Sequence, residues 1–301
     1  MYLSKIELSH FRNYKKEKVR LCDSINIFIG DNAQGKTNIL ESIYILALTK
    51  SHRVGFENNI IQRGYEACKI KGLLRDNDLL KDISLLVNNE YKKVFINDKE
   101  IKKIADYISN VNVIMFCPND LDIVKGSPQV RRNLLNIEIS QLYPFYVNYL
   151  NEYNKILKNR NEYLKSNEII NKDYLDVLTN KLIDLNIKIY NERIKYVEKI
   201  NIYLKDIYKD ISGKTNIKLT YDSFIEDSNN IKNELEDKFN LIYNTELQQR
   251  VTLLGVHRDD FSIFIDDVKI NNYGSQGQHR IAILCLKLSE IKMYQEEYNK
   301  K

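Results

Sequence analysis

Gly30-Asp31-Asn32-Ala33-Gln34-Gly35-Lys36-Thr37 fits G-x-x-x-x-G-K-[ST], the Walker A phosphate loop. Its flanks support the reading. Ile25, Ile27, Phe28 and Ile29 form a short apolar run that reads as a buried strand before the loop. Asn38 to Leu46 follows with apolar residues at helical spacing. Strand, glycine loop and helix together predict a nucleoside triphosphate site. Glycines at 30 and 35 allow backbone N–H groups to turn inward toward a β-phosphate. The helix starting near Lys36 adds its positive end to the same anion. Lys36 is expected to reach the β- and γ-phosphates, and the Thr37 hydroxyl to ligate Mg²⁺.

Composition sets the frame around that loop. With 301 residues the chain can bury one large or two medium cores. Its net charge of +5 permits nucleic-acid binding without requiring it. The basic side chains gather at the N-terminus, where Lys5, Arg12, Lys15, Lys16, Lys18 and Arg20 meet only Glu7 and Glu17. A solvated strand edge explains them equally well. The four cysteines, Cys22, Cys68, Cys117 and Cys285, lie far apart and form no C-x-x-C pair. They read as small, buried, reduced side chains, with no zinc or redox motif. No apolar run is long enough to span a bilayer, and the charged start is unlike a secretory signal. A cytoplasmic protein is expected.

Three zones follow along the chain. Residues 1–122 mix strands and short helices: Leu3 to Leu8, Ile25 to Ile29, Leu85 to Val87, Lys93 to Ile96 before a turn at Asn97-Asp98, and Val111 to Phe116. Residues 123–212 are helical and charged. One stripe runs Tyr146, Tyr149, Leu150, Tyr153, Ile156, Leu157 and Leu164; another runs Leu175, Leu178, Leu182, Leu185 and Ile189, is broken at Glu192, and resumes at Tyr196 and Tyr203. They predict two long helices folded as a hairpin, or a plain bundle, with the tip near Ser166 to Lys172. Residues 213–301 return to strands at Ile217–Tyr221 and Phe261–Ile265, with a helix near Asn230–Arg250 and an apolar helix from Ile281 to Leu288.

Ser275-Gln276-Gly277-Gln278 stands at the start of that last helix. Serine, glycine and free N–H groups at a helix N-terminus make a second anion site. The element resembles the S-x-G-Q signature of transporter cassettes and chromosome-maintenance heads, which contacts the γ-phosphate held by a second protomer. One ATP is then sandwiched between two copies, and the dimer is linked to the nucleotide. By itself the serine is an ordinary helix cap.

Further blocks extend the likeness over the whole chain: Phe11-Arg12-Asn13-Tyr14; Gly30 to Asn38; Pro118-Asn119-Asp120-Leu121; Val124 to Pro128 with Arg131-Arg132; Tyr153 to Asn161 with Arg160-Asn161; Gly255-Val256-His257-Arg258-Asp259-Asp260; and Ser275 to Gln278. In this order they resemble the RecF family of bacterial recombination-repair ATPases. The resemblance implies an α/β fold, an ABC/SMC-like P-loop ATPase head with an inserted helical-hairpin lobe. It implies ATP and Mg²⁺ as cofactors and an ATP-dependent homodimer. It also implies binding to single-strand/double-strand DNA junctions, and work with RecR and RecO in loading RecA during repair, replication restart and the SOS response. Arg12 reads either as a nucleotide contact or as one more surface cation. Lys125, Arg131, Arg132, Lys155, Lys158 and Arg160 are candidate DNA contacts or a merely solvated helix face.

The chain departs from the family pattern in two places. Asn136 stands where an acid is usual. No Walker B strand, D-loop or switch histidine follows the signature before Lys301. A fragment of a longer protein, binding nucleotide more weakly and hydrolysing little, is the expectation. Ile263-Phe264-Ile265-Asp266-Asp267 has Walker B letters but precedes the signature, so it reads as a hairpin turn. Two rival functions remain: an ATP-independent DNA- or partner-binding scaffold, and a P-loop phosphotransferase.

Overall fold

The computed structural model describes residues 1–52, 60–166, 170–226 and 230–298. The described residues form two compact units, one within residues 1–115, the other within residues 116–297.

The first unit is built on six antiparallel strands in the order β2-β1-β3-β4-β5-β6. They are β1 (Tyr2–Phe11), β2 (Tyr14–Arg20), β3 (Ala67–Asp76), β4 (Leu79–Asn88), β5 (Lys92–Ile96) and β6 (Lys99–Ile101). Alternation puts Ile6, Leu8, Ile70, Ile83, Leu85 and Val94 on one buried face. Helix α1 (Lys36–Leu48) packs Ile45 and Leu46 into that core. A Cβ at Gly72 of β3 would lie 2.5 Å from Leu46 Cδ2, so glycine lets the helix approach. A short α2 (Ile104–Tyr107) closes the core, and Tyr107 donates to Leu46 O at 2.6 Å. The Asn97-Asp98 turn has both φ values positive, the backbone of a tight two-residue hairpin.

Two expected strands do not form. Residues 25–30 and 112–117 are in neither strand nor helix. Ile25, Ile27 and Ile29 are 83%, 76% and 89% exposed. The alternating apolar letters are there, but a strand needs a ladder partner, and Ile25 to Ile29 join neither sheet of the described residues.

The second unit contains α3 (Asp122–Lys125), α4 (Pro128–Leu142), α5 (Phe145–Ser166), α6 (Lys172–Ser212), β7 (Ile217–Asp222), α7 (Ile231–Gln249), β8 (Asp260–Ile265), β9 (Val268–Lys269), α8 (Ile270–Tyr273) and α9 (Gln276–Tyr298). Helices α5 and α6 are the two long helices expected, packed along each other. Of their connection, residues 167–169 lie outside the described residues. The stripe of α6 does not stop at Glu192: it continues from Ile189 through Arg193, Tyr196, Ile200 and Leu204, all buried. The α5 stripe likewise runs Tyr146, Tyr153, Arg160, Leu164. Each seam therefore carries a guanidinium, which a reading of apolar letters passes over.

Strands β7, β8 and β9 form a small antiparallel sheet. Asp266 and Asp267, both at positive φ, turn β8 into β9, so these acids are a hairpin turn. The helical zone and the return zone share this one unit, because buried side chains of α5 and α6 bond residues 221–256. Cys68 and Cys285 are buried, whereas Cys22 is exposed.

Candidate nucleotide site and signature helix

Gly35 caps α1 at φ 102, a left-handed backbone that favours glycine. A Cβ there would lie 2.6 Å from Asn13 Nδ2 and 2.7 Å from the Tyr14 hydroxyl. The loop is thus gripped by the turn between β1 and β2. Asn13 Nδ2 donates to Gln34 O at 3.3 Å, and Asn38 Nδ2 donates to Asn13 Oδ1 at 2.9 Å. Tyr14 reaches Gln34 O at 3.5 Å. Burial, and after it Glu17, raises the Tyr14 pKa, keeping a neutral donor there.

The same turn aims Arg12, at φ 53, onto α1. Its Nε and Nη2 donate to the two carboxylate oxygens of Glu41 at 3.1 and 2.7 Å. Glu41 is fully buried and also accepts from the Ser51 hydroxyl at 2.6 Å. Phe11-Arg12-Asn13-Tyr14 is therefore a brace: Phe11 anchors in the core, Arg12 fixes the helix, and Asn13 and Tyr14 fix the loop. Of these residues only Arg12 stands out in the sequence as a nucleotide-contact candidate. Asn13, Tyr14, Asn38 and Glu41 all lie within or beside the quoted motifs, which is where a signal for them lay.

Across the loop, Lys36 Nζ donates to Gly30 O at 2.7 Å and Asp31 O at 2.6 Å. Gln34 folds back, accepting from Asp31 N and donating to Asp31 Oδ2, both at 3.2 Å. Among the described residues no acceptor meets the N–H groups of Lys36 and Thr37. Two unfilled N–H donors at a helix N-terminus, with the Lys36 ammonium held beside them on the loop's own carbonyls, make a donor set that fits a polyphosphate. The exposed Thr37 side chain offers a hard oxygen to a magnesium ion. Asp31, Asn32 and Ala33 complete the loop, exposed.

In the second unit, Ser275 and Gln278 form a reciprocal capping box at the start of α9. Ser275 N donates to Gln278 Oε1 at 2.8 Å, and Gln278 N to the Ser275 hydroxyl at 3.3 Å. His279, 4% exposed, bonds Ile270 O at 2.8 Å and seats the helix start. Ser275, Gln276 and Gly277 are exposed. A Cβ on Gly277 would meet nothing closer than the Ser275 hydroxyl oxygen at 3.9 Å. Nothing in the chain's own packing requires glycine there, although glycine is a poor helix former.

The remaining motifs meet around the helical hairpin. Arg131 of α4 grips Asp260 through Nε and Nη2 at 2.6 and 2.8 Å, and Arg132 donates to Asp259 O at 2.7 Å. Arg160 binds Glu246 at 2.6 Å and Thr252 Oγ1 at 2.8 Å, while Asn161 Oδ1 accepts from Thr252 N at 2.8 Å. Arg193 donates to Tyr146, Tyr221, Val256 O and Asn136 Oδ1, all at 2.8–3.0 Å. Asn136 is thus a neutral acceptor for a buried cation. Arg131 and Arg160 are 6% and 1% exposed, which removes both from the surface candidates for DNA contact. His257 bonds the Tyr153 hydroxyl at 2.7 Å; burial pushes its pKa down to about 4, and Arg258 and Arg132 add to this.

A braced phosphate loop on an α/β unit, a helical-hairpin unit and an S-x-G-Q helix start define a P-loop ATPase head. The AAA ATPase domain family matches residues 1–301. The chain is 39% identical over 298 residues to the DNA replication and repair protein RecF of Clostridium perfringens, covering 98% of this chain and 82% of that protein. RecF of Listeria monocytogenes is 37% identical over 305 residues, covering 99% and 82%. The solved recombination mediator protein RecF-ATP of the RecFOR pathway superposes with a TM-score of 0.94 at 32% identity, covering 100% of this chain and 83% of that one. The chain belongs to the RecF family.

Proposed function

We propose that this chain is an ATP-gated DNA-binding switch of recombinational repair and replication, acting in the cytoplasm. Gly30 to Thr37 hold the triphosphate, with Mg²⁺ on Thr37, and Ser275 to Gln278 of a second copy close on the γ-phosphate. Arg12 joins the proposed nucleotide contacts. The observation that carries the reading is Gly277, a glycine on an open helix start that the fold does not need. A close-approaching ligand from outside supplies the reason for it. ATP bound by two copies stabilises the dimer by its differential affinity. The dimer then engages single-strand/double-strand DNA junctions and works with RecO and RecR to load RecA. Kinship with a RecFOR-pathway mediator supports that assignment.

Sedimentation velocity tests the switch. The unmodified chain is expected to dimerise with ATP and Mg²⁺ and to stay monomeric without them. Lys36→Ala should abolish both nucleotide binding and dimerisation. Ser275→Arg should keep ATP binding and lose the dimer. Junction-DNA affinity that is equal with and without ATP would favour an ATP-independent scaffold.

A further inference from the structure

The outer face of the six-stranded sheet is a second feature that the nucleotide site does not absorb. Register fixes which side chains share it. Opposite the core residues Ile6 and Leu8, β1 presents Lys5, Glu7 and Ser9. On β2 their direct neighbours are Arg20, Lys18 and Lys16. On β3 the neighbours of Glu7 and Ser9 are Lys71 and Lys69, and Arg75 continues the same face. Seven cations thus face one carboxylate across three adjacent strands.

That local excess outweighs the +5 of the whole chain, so the remainder carries slightly more acid than base. Ordinary solvated faces interleave the two signs. Glu7 is shared by Lys5 at 3.0 Å and Lys18 at 3.4 Å, and Lys71 meets Asp82 at 3.4 Å. Lys16, Arg20, Lys69 and Arg75 have no carboxylate within ion-pair distance among the described residues, and all four are exposed. Apart from Lys5 and Arg20, which are direct neighbours, the cations of β2 and β3 stand on either side of β1, with their backbones about 9.6 Å apart across it and about 6.8 Å apart along each strand. Apart from Tyr2 at its rim, this three-strand face has no aromatic platform of the sort that holds single-stranded bases.

We propose that the outer face of β2-β1-β3 binds the phosphate backbone of double-stranded DNA. This rests on the DNA-binding reading given above and locates it on named strands. Lys and Arg here position the duplex without reading its sequence.

Salt titrations of duplex affinity, with ATP and Mg²⁺ present, test it. The chain is compared with a quadruple variant, Lys16→Gln, Arg20→Gln, Lys69→Gln and Arg75→Gln. Each lost phosphate contact lowers the slope of log affinity against log salt by about 0.9. A loss of roughly 3.6 in slope is expected if each of the four meets one phosphate, with unchanged ATP affinity and circular dichroism. Lys155→Gln, Lys158→Gln, Lys181→Gln and Lys188→Gln, on exposed faces of the helical hairpin, should leave the slope intact. A sheet variant with the parental slope, or a hairpin variant that loses it, overturns the inference while DNA binding stands. No duplex binding by the unmodified chain overturns the DNA reading and this inference together.

Discussion

Single residues in this chain are informative where their type disagrees with their place. Asn136 sits beside a buried arginine, where the family pattern has an acid. Its Oδ1 accepts from both Arg193 and the Tyr146 hydroxyl, at 3.0 and 3.1 Å. Asn136→Leu would strand two buried donors and should lower the urea-unfolding free energy by about 1–3 kcal/mol. Asn136→Asp keeps the acceptor, adds a charge partner for Arg193 and should cost less than the leucine. If the two variants unfold at the same denaturant concentration, hydrogen bonding is not what Asn136 contributes. Gly277 disagrees in another way, since the fold leaves room for a side chain. Gly277→Ala should leave the unfolding midpoint unchanged or slightly higher, yet remove the ATP-driven dimer in sedimentation. Neither Arg160 nor Arg193 was legible as core, because a charged letter inside an apolar stripe reads as an interruption. Only the acceptors brought by distant residues make such burial affordable.

Elements were legible where pattern and partner coincide. Strands β1, β4, β5, β7 and β8, the long helices and both two-residue turns follow from alternation, helical spacing and Asn/Asp pairs. The stretch Ile25 to Ile29 has the pattern without the partner, and a ladder bond cannot be read from one strand's letters. Helix α9 shows a further layer that patterning misses. Glu138 of α4 lies among Lys287 and Glu290 of α9, with Gln141 of α4, Tyr196 of α6 and Tyr294 of α9 around them. Burial, and then the Glu290 charge, push the Glu138 carboxyl up to about 8. The folded chain keeps that proton to about pH 8, whereas the unfolded chain releases it near 4.5. Stability therefore falls as pH rises through this window. His257 has the opposite sign, because its folded pKa is depressed from 6.5 to about 4. Its contribution is lost as pH falls between those values. From pH 6.5 to 8 the Glu138 effect acts without opposition from His257. Unfolding free energy should drop across this range, and Glu138→Gln should flatten the drop. An equal drop in that variant would assign the slope to other groups.

For the whole molecule, the proposed sharing of one nucleotide between two copies would tie stability to concentration. A ligand held between two copies stabilises the folded dimer by mass action. The melting temperature should therefore rise with chain concentration in ATP and Mg²⁺, and stay constant without nucleotide. A concentration-independent melt in ATP would place the nucleotide within single copies. At this scale the order of the motifs is legible in the letters but their convergence is not, since blocks far apart in the chain meet on shared hydrogen bonds. That convergence also has a direction in time. Arg160 waits for Thr252, 92 residues downstream. At a synthesis rate of about 5–20 residues per second, the gap is about 5–18 s. The hairpin is complete once α6 ends at Ser212, and from there until Thr252 emerges a guanidinium bound for the interior has only water to answer it. The helical hairpin is local in sequence, yet it cannot mature co-translationally until the downstream segments that close its polar core have left the ribosome.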